Sequence, residues 1–492
     1  MRSLASLSLA LRDEPVARAR ALLIARIVIV LYFVELLVNL TRPNRQPGEG
    51  ALSIFYKPPP DVAKLMKNFS FGDSISKIMA VPTVVFWLVL AGIAAAVLVQ
   101  VFAAITKPND RRAVALTWLT VGCLLLPFGL LSVVVVFEFF PAALACVPGT
   151  AFVLLLLRGS VRFARVPLGA LLAAFGWGAL IVFSLGRVFS NLASATMFDY
   201  FSPTASSDPT HLLDNMDRML MAITVHLSLV NTIGLAGGVA LLLALFRYRI
   251  TDALTGLILG ASMGLGYAFV DSLMYIKIYG SLGGILGSTG GFEYWIRQSV
   301  GLLGGQVTFG ALLGAGLCLA ARAQQRRRLL AVAALVTAFG GGTAAEVLSG
   351  WLAGQLQHSS GGAVDTLVVS PLLWLLPQLP FVALAVALLV RGMRERGSVL
   401  RAALAQEAEA GPAVTAGETS VLGAPALRLW TLVGAWRRHG RATALALYRL
   451  QSAQLELAGS RAQEDPPDTA QAEQAVLRAN VMTLKGIRAV TA

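Results

Sequence analysis

Long apolar runs alternate with short clusters of basic and polar residues along this chain, and that rhythm predicts its architecture. Ten runs are long enough to cross a hydrocarbon core of about 30 Å as helices. They fall at roughly 20–41, 80–105, 114–137, 141–157, 166–187, 219–246, 251–276, 298–321, 329–353 and 368–390. A helix is the default spanning form, because hydrocarbon offers the backbone no hydrogen-bond partner. The third and fourth runs share one stretch free of Lys and Arg. It divides at Glu138-Phe139-Phe140-Pro141, where a charge and a proline suit a tight turn. The expected fold class is an all-α polytopic membrane protein.

After Val390 the pattern changes. Residues 392–410 read as a mixed-charge helix, and 411–426 (GPAVTAGETSVLGAPA) have the composition of a flexible linker. Residues 427–461 read as one amphipathic helix carrying Leu429, Val433, Trp436, Leu445, Tyr448 and Leu455, with Arg437, Arg438 and Arg441. Pro466-Pro467 stops it, and 469–490 form a second helix. The organisation predicted is a five-span membrane region (1–218), a five-span core (219–391) and a helical tail (392–492). The tail is expected to be a helical hairpin or a membrane-surface element, with partner docking as the alternative.

Composition agrees with that picture. The chain has 492 residues, is 56% hydrophobic and 13% charged, and has a mean hydropathy of +0.71; a soluble domain needs more polar surface. The net charge of +14 sits mostly between the runs, where it sets topology and meets anionic headgroups. The lipid bilayer is therefore the expected partner, and no nucleic-acid module is present. Alternate loops carry Lys107/Arg111/Arg112, Arg158/Arg162/Arg165, Arg247/Arg249, Arg322/Arg326/Arg327/Arg328 and Arg391/Arg394/Arg396. With Arg2, Arg12, Arg18 and Arg20 they place both termini in the cytoplasm, outvoting the basic residues of loop 42–79. That loop and loop 188–218 are the two long external segments. No small-residue cleavage site follows the first run before Thr41, so it is read as an uncleaved helix. Cys123, Cys146 and Cys318 lie far apart inside apolar runs and read as small core residues.

Polar side chains inside spans are costly and therefore informative. They are His226, Asn231 and Thr232 in the sixth run, Asp271 in the seventh, Gln306 in the eighth and Glu346 in the ninth. In the seventh run Gly256, Gly260 and Gly264 make a small-residue stripe for close helix packing. Tyr267, Asp271 and Tyr275 continue at the same spacing and share a face, so Asp271 reads either as a hydrogen-bonded core pin or as a metal ligand. Glu346 reads either as a site acid or as a residue facing water. His226 lies five residues before Asn231, about 140° away around an ideal helix, and reads either as an interhelical donor or as a ligand.

The seventh run, through Gly256, Leu257, Gly260, Ala261, Gly264, Gly266, Tyr267, Ala268, Asp271, Ser272 and Tyr275, resembles the PrsW family of intramembrane proteases. That family is itself similar to the CAAX-prenyl-protease-like membrane peptidases. The resemblance covers about 225–350 and implies the following correspondences. Asp271 stands at a catalytic-site glutamate. Asn231 and Thr232 stand at a pair of glutamates, and Leu235 at a lysine. Gln306, in the phrase Gly305–Arg322, stands at a histidine, and a second histidine falls near Gly342, with Glu346 four residues on. The implied location is a bacterial cytoplasmic membrane.

Asn231 and Thr232 cannot act as bases, and Gln306 offers an amide in place of an imidazole. The expectation is a catalytically impaired relative that binds a membrane-protein client or regulates signalling, with no cofactor. The alternative is an active metalloprotease, rebuilt on Asp271, Glu346 and His226 around a zinc-like divalent ion, acting on a membrane-protein substrate. A transporter using intramembrane acids is the third reading; it is disfavoured because no repeat relates the two halves.

Overall fold

The computed structural model describes residues 15–41, 72–106, 109–164, 166, 168–201, 209–245, 252–281, 290–356, 364–461 and 467–491. Among them there is no strand. Ten helical stretches are long and apolar enough to cross a membrane. They are α1 (Arg18–Leu40), α2 (Ala80–Thr106), α3 (Arg112–Glu138), α4 (Phe140–Ser160), α5 (Leu168–Ser194), α6 (Met221–Leu245), α7 (Ala253–Lys277), α8 (Glu293–Arg322), α9 (Arg327–Ser349) and α10 (Leu367–Ala410). The chain is an all-α integral membrane protein. The break between α3 and α4 falls at Phe139, beside the charge and proline that predict it.

The axis of the molecule is α7, of whose span 83% is buried, against 22% for α1 and 11% for α2. Its glycines explain this position. A Cβ on Gly256, Gly260 or Gly264 would overlap the carbonyl oxygens of Gly314, Gly310 and Gln306 on α8. On another face, a Cβ on Gly266 would overlap the Phe175 carbonyl of α5, and one on Gly178 of α5 the Met263 carbonyl. The three backbones therefore touch directly. In hydrocarbon, such close van der Waals packing replaces the hydrophobic drive that assembles soluble cores. Polar bonds fix the register: Ser262 Oγ donates to the Leu171 carbonyl at 2.9 Å, and Trp177 Nε1 to the Gly234 carbonyl of α6 at 3.0 Å. Asp252 caps α7, accepting from the Thr255 amide at 3.1 Å, and takes Arg396 of α10 at 2.5 Å. The start of α7 and the exit of α10 thus lie at one membrane face.

Several expected loops are helical. Helix already begins at Gly72, and the rest of loop 42–79 lies outside the described residues. The α5 helix runs on to Phe201 and the α6 helix begins at Pro209, so most of 188–218 extends those two helices.

The tail differs from its sequence reading in two respects. The expected linker contains a helix, α11 (Ala416–Gly423), started by a capping box between Thr415 and Glu418; the Thr-x-x-Glu signature was legible. Its Leu422 packs with Leu400, Leu404, Val414 and Leu455. The long amphipathic segment, α12 (Pro425–Arg461), is broken at Gly440, whose φ of 81° suits glycine. Gln451 Nε2 donates to Thr431 Oγ1 at 3.0 Å, although a straight helix would part those residues by about 30 Å. The two arms of α12 are therefore antiparallel, with Gly440 at the tip. α13 (Pro467–Thr491) closes the tail: Val481 packs on Leu450 and Leu457, and Arg478 holds both oxygens of Glu407 at 2.9 Å.

Candidate functional site: a polar cavity beside Asp271

Asp271 lies 18 residues beyond Ala253 on α7, about 27 Å along the helix. It is therefore near the membrane face opposite the Asp252–Arg396 pair. Beside it is a cavity of about 90 Å³ lined from α6, α7, α8, α9 and α10. Its polar wall includes Asn231, Asp271, Gln306, Glu346 and Gln378.

Asp271 is 7% exposed, and both carboxylate oxygens are occupied. One takes Arg187 Nη2 from α5; the other takes Arg297 Nη1 at 3.2 Å. Arg297 also donates through Nε to Glu293 at 3.2 Å and stacks 3.4 Å from the centroid of the Tyr275 ring. The Arg187 guanidinium lies 5.6 Å from the same ring and 5.8 Å from that of Phe183. Two cations thus face two carboxylates and aromatic faces in a low-dielectric interior, where an unpaired charge is most costly. The Tyr267–Asp271–Tyr275 face read from the sequence is where this network forms.

The backbone around Gln306 is equally particular. α8 is interrupted after Gln298 and resumes at Gly305, whose φ is +54°. There Gln378 Oε1 of α10 accepts from the Gly305 amide, and Gln378 Nε2 donates to the Trp374 carbonyl at 3.2 Å. Gln378 therefore holds the restarted helix and aims Gln306 into the cavity. Irregular backbone at this depth is tolerated where protein or a cavity covers it.

The sequence-derived site residues divide. Asn231, Asp271, Gln306 and Glu346 line one cavity, with Gly342 beside them. Thr232 is buried but does not line it; its hydroxyl donates to the Ser228 carbonyl at 2.8 Å. The expectation that His226 joins Asp271 and Glu346 is corrected. His226 Nε2 is 2.6 Å from Glu35 of α1, on the side of α6 turned away from Asn231. The Glu346 carboxylate makes no hydrogen bond or ion pair among the described residues and is exposed at the cavity edge.

Four polar side chains that make these contacts are not singled out in the sequence: Glu35, Arg187, Arg297 and Gln378. Glu35 and Arg187 lay inside apolar runs, where any ionisable group is a signal. Arg297 sits just before its run, and Gln378 is a polar side chain inside the tenth run, the same kind of signal as Gln306.

Residues 166–375 match the family described as PrsW family intramembrane metalloprotease. That stretch of the chain is similar to the PrsW family. No curated protein and no solved structure matches the chain significantly. The PrsW-family match is wider than the stretch read from the sequence. It takes in α5, and with it Arg187, while α1, α2, α3 and α4 and the tail lie outside it.

The family description implies a metal ion, and the donors present do not fit one. Divalent transition metals in such sites take three or more His, Cys or carboxylate ligands. No group of three such side chains is assembled among the described residues. Asn231 and Gln306 are amides, and both oxygens of Asp271 are engaged by guanidinium groups. A cation placed there would lie beside two guanidinium groups, whose charge opposes it.

Proposed function

We propose that this PrsW-family protein is catalytically impaired and works by binding rather than cleaving, holding a segment of another membrane protein in a regulatory role. One observation carries the reading. The carboxylate at the family's acidic position is clamped by Arg187 and Arg297. A general base needs a free lone pair within reach of its proton, and metal activation of water needs an open, multidentate site. Both Asp271 oxygens are turned to guanidinium groups, and no third His, Cys or acidic side chain is grouped with them among the described residues. The cavity instead offers amides and one uncommitted acid, groups suited to the exposed backbone of an unwound helix. The alternating basic loops support an orientation with both termini on the cytoplasmic side of a bacterial membrane.

Glu346 favours the second reading, an active protease on a rebuilt site, because its carboxylate is uncommitted. The two readings part on one experiment. Protein purified without chelators is assayed for bound zinc and for cleavage of single-span test substrates, with and without added zinc. The binding reading expects no stoichiometric metal and no cleavage in wild type. Cleavage abolished by Glu346→Gln, with about one zinc per chain, would establish the active reading instead.

A further inference from the structure

The tail hairpin carries a surface that neither the core nor its family accounts for. At the tip of α12, residues 436–443 are exposed without interruption, and they include Arg437, Arg438 and Arg441. Trp430 is 67% exposed and Trp436 59%, with Leu429 at 61% and Leu445 at 46%. Between the arms lies a groove of about 410 Å³ lined by Leu432, Val433, Trp436, Ala444, Leu445 and Tyr448. From Thr419 to Leu455 there is no Asp or Glu. Arg449 is exposed as well.

Tryptophan beside arginine, without acids, matches the boundary between acyl chains and anionic headgroups. The indole is amphipathic, and the guanidinium pairs with phosphate. The hairpin is also held in the right place. It follows α10 through the short α11, the exit of α10 is anchored by Arg396 to Asp252, and α12 is in contact with the helix Phe140–Ala164 that contains span α4. Both connections set it at the membrane face where α10 leaves.

We propose that the α12 hairpin docks on the bilayer that its own chain spans. Trp430, Trp436 and the neighbouring leucines enter the headgroup layer, and Arg437, Arg438 and Arg441 pair with anionic lipid. The surface covered is the exposed tip and the apolar groove behind it.

The test uses the full chain in nanodiscs of phosphatidylcholine alone or mixed with phosphatidylglycerol. Hydrogen exchange is followed over 428–446, and tryptophan fluorescence with brominated lipid. The expected result is amide exchange at least ~10-fold slower in the anionic discs, from three favourable arginine contacts. It should come with a quenching component, beyond that of the six tryptophans of the membrane region, that the double variant Trp430→Phe/Trp436→Phe removes. High salt and Arg437→Gln/Arg438→Gln/Arg441→Gln should each abolish the protection; these side chains are exposed, so the variant keeps its helices by circular dichroism. Equal exchange in both discs overturns the proposal. So does protection that persists in phosphatidylcholine and in the arginine variant. Protection that rises with the number of chains per disc would assign the surface to a second copy instead.

Discussion

Among the described residues, the ionic network at Asp271 and the Glu35–His226 contact both lie within the spans, and they differ in kind. Around Asp271, two guanidinium groups from α5 and α8 converge on one carboxylate and on aromatic faces. All of it lies inside the PrsW-family match. Between α1 and α6, Glu35 meets His226 in a single contact of 2.6 Å. That contact joins a helix outside the match to one inside it. Arginine stays charged at any physiological pH, so the first cluster is a permanent clamp. The second joins one imidazole to one carboxylate, with no further ion pair among the described residues. The region similar to the PrsW family thus holds several fixed charges in one network, while the first span meets it through one imidazole–carboxylate contact.

The comparison breaks most severely at Asp271. Asp271→Ala leaves two part-buried guanidinium groups short of a counter-charge and should cost at most about 3–5 kcal/mol, the range for a fully buried pair. The expected result is loss of monodisperse protein in detergent, with Asp271→Asn intermediate. A wild-type-like melting temperature for Asp271→Ala would remove the clamp from the argument. The Glu35–His226 link should be smaller, about 1–3 kcal/mol for Glu35→Ala. Its effect should add to that of an Arg297 variant within about 0.5 kcal/mol if the clusters are independent. A thermal-unfolding double-mutant cycle measures both quantities.

The tail sharpens the contrast with a third kind of ionic contact, near water. Glu418 accepts from Lys485 Nζ and the Thr415 amide, each at 2.8 Å. Partial burial raises its pKa, but the hydrogen bonds from Lys485 and Thr415 outweigh burial and hold it below the ordinary glutamate value. Its stabilisation is therefore complete above the unfolded-state pKa and is lost as pH falls through the lower folded value. Hydrogen exchange in α11 should accelerate in that acid window, and Glu418→Gln should flatten the response. The smallest effect belongs to the exposed Arg391–Glu395 pair, 78% and 64% open. Arg391→Ala should change the melting free energy by no more than ~0.5 kcal/mol. A larger change would show that exposure is a poor guide here.

Much of this was legible beforehand, for reasons that can be named. Gly256, Gly260 and Gly264 announced a close helix crossing, and the crossing is there, because a missing Cβ is a local property with one main structural use. Asn231, Asp271, Gln306 and Glu346 shared a resemblance, and one cavity collects them. Residues 411–426 have the composition of a linker yet contain a capped helix, because the Thr415–Glu418 capping box outweighs the surrounding Gly and Pro. Gly440 sat inside an amphipathic period that continues on both sides of it, so the period alone concealed the turn.

The sequence by itself determined how many helices enter the membrane, which of them pack most closely, and that the tail is amphipathic and basic. Those properties follow from the transfer energy and volume of side chains taken a few residues at a time. Only the tertiary structure decided that Asp271 faces two arginines, that His226 belongs to Glu35, and that α12 folds back on itself. Each of these depends on the rotation and crossing of helices far apart in the chain. A buried charge takes the partner those crossings bring within about 3 Å, and no local pattern specifies which partner that is.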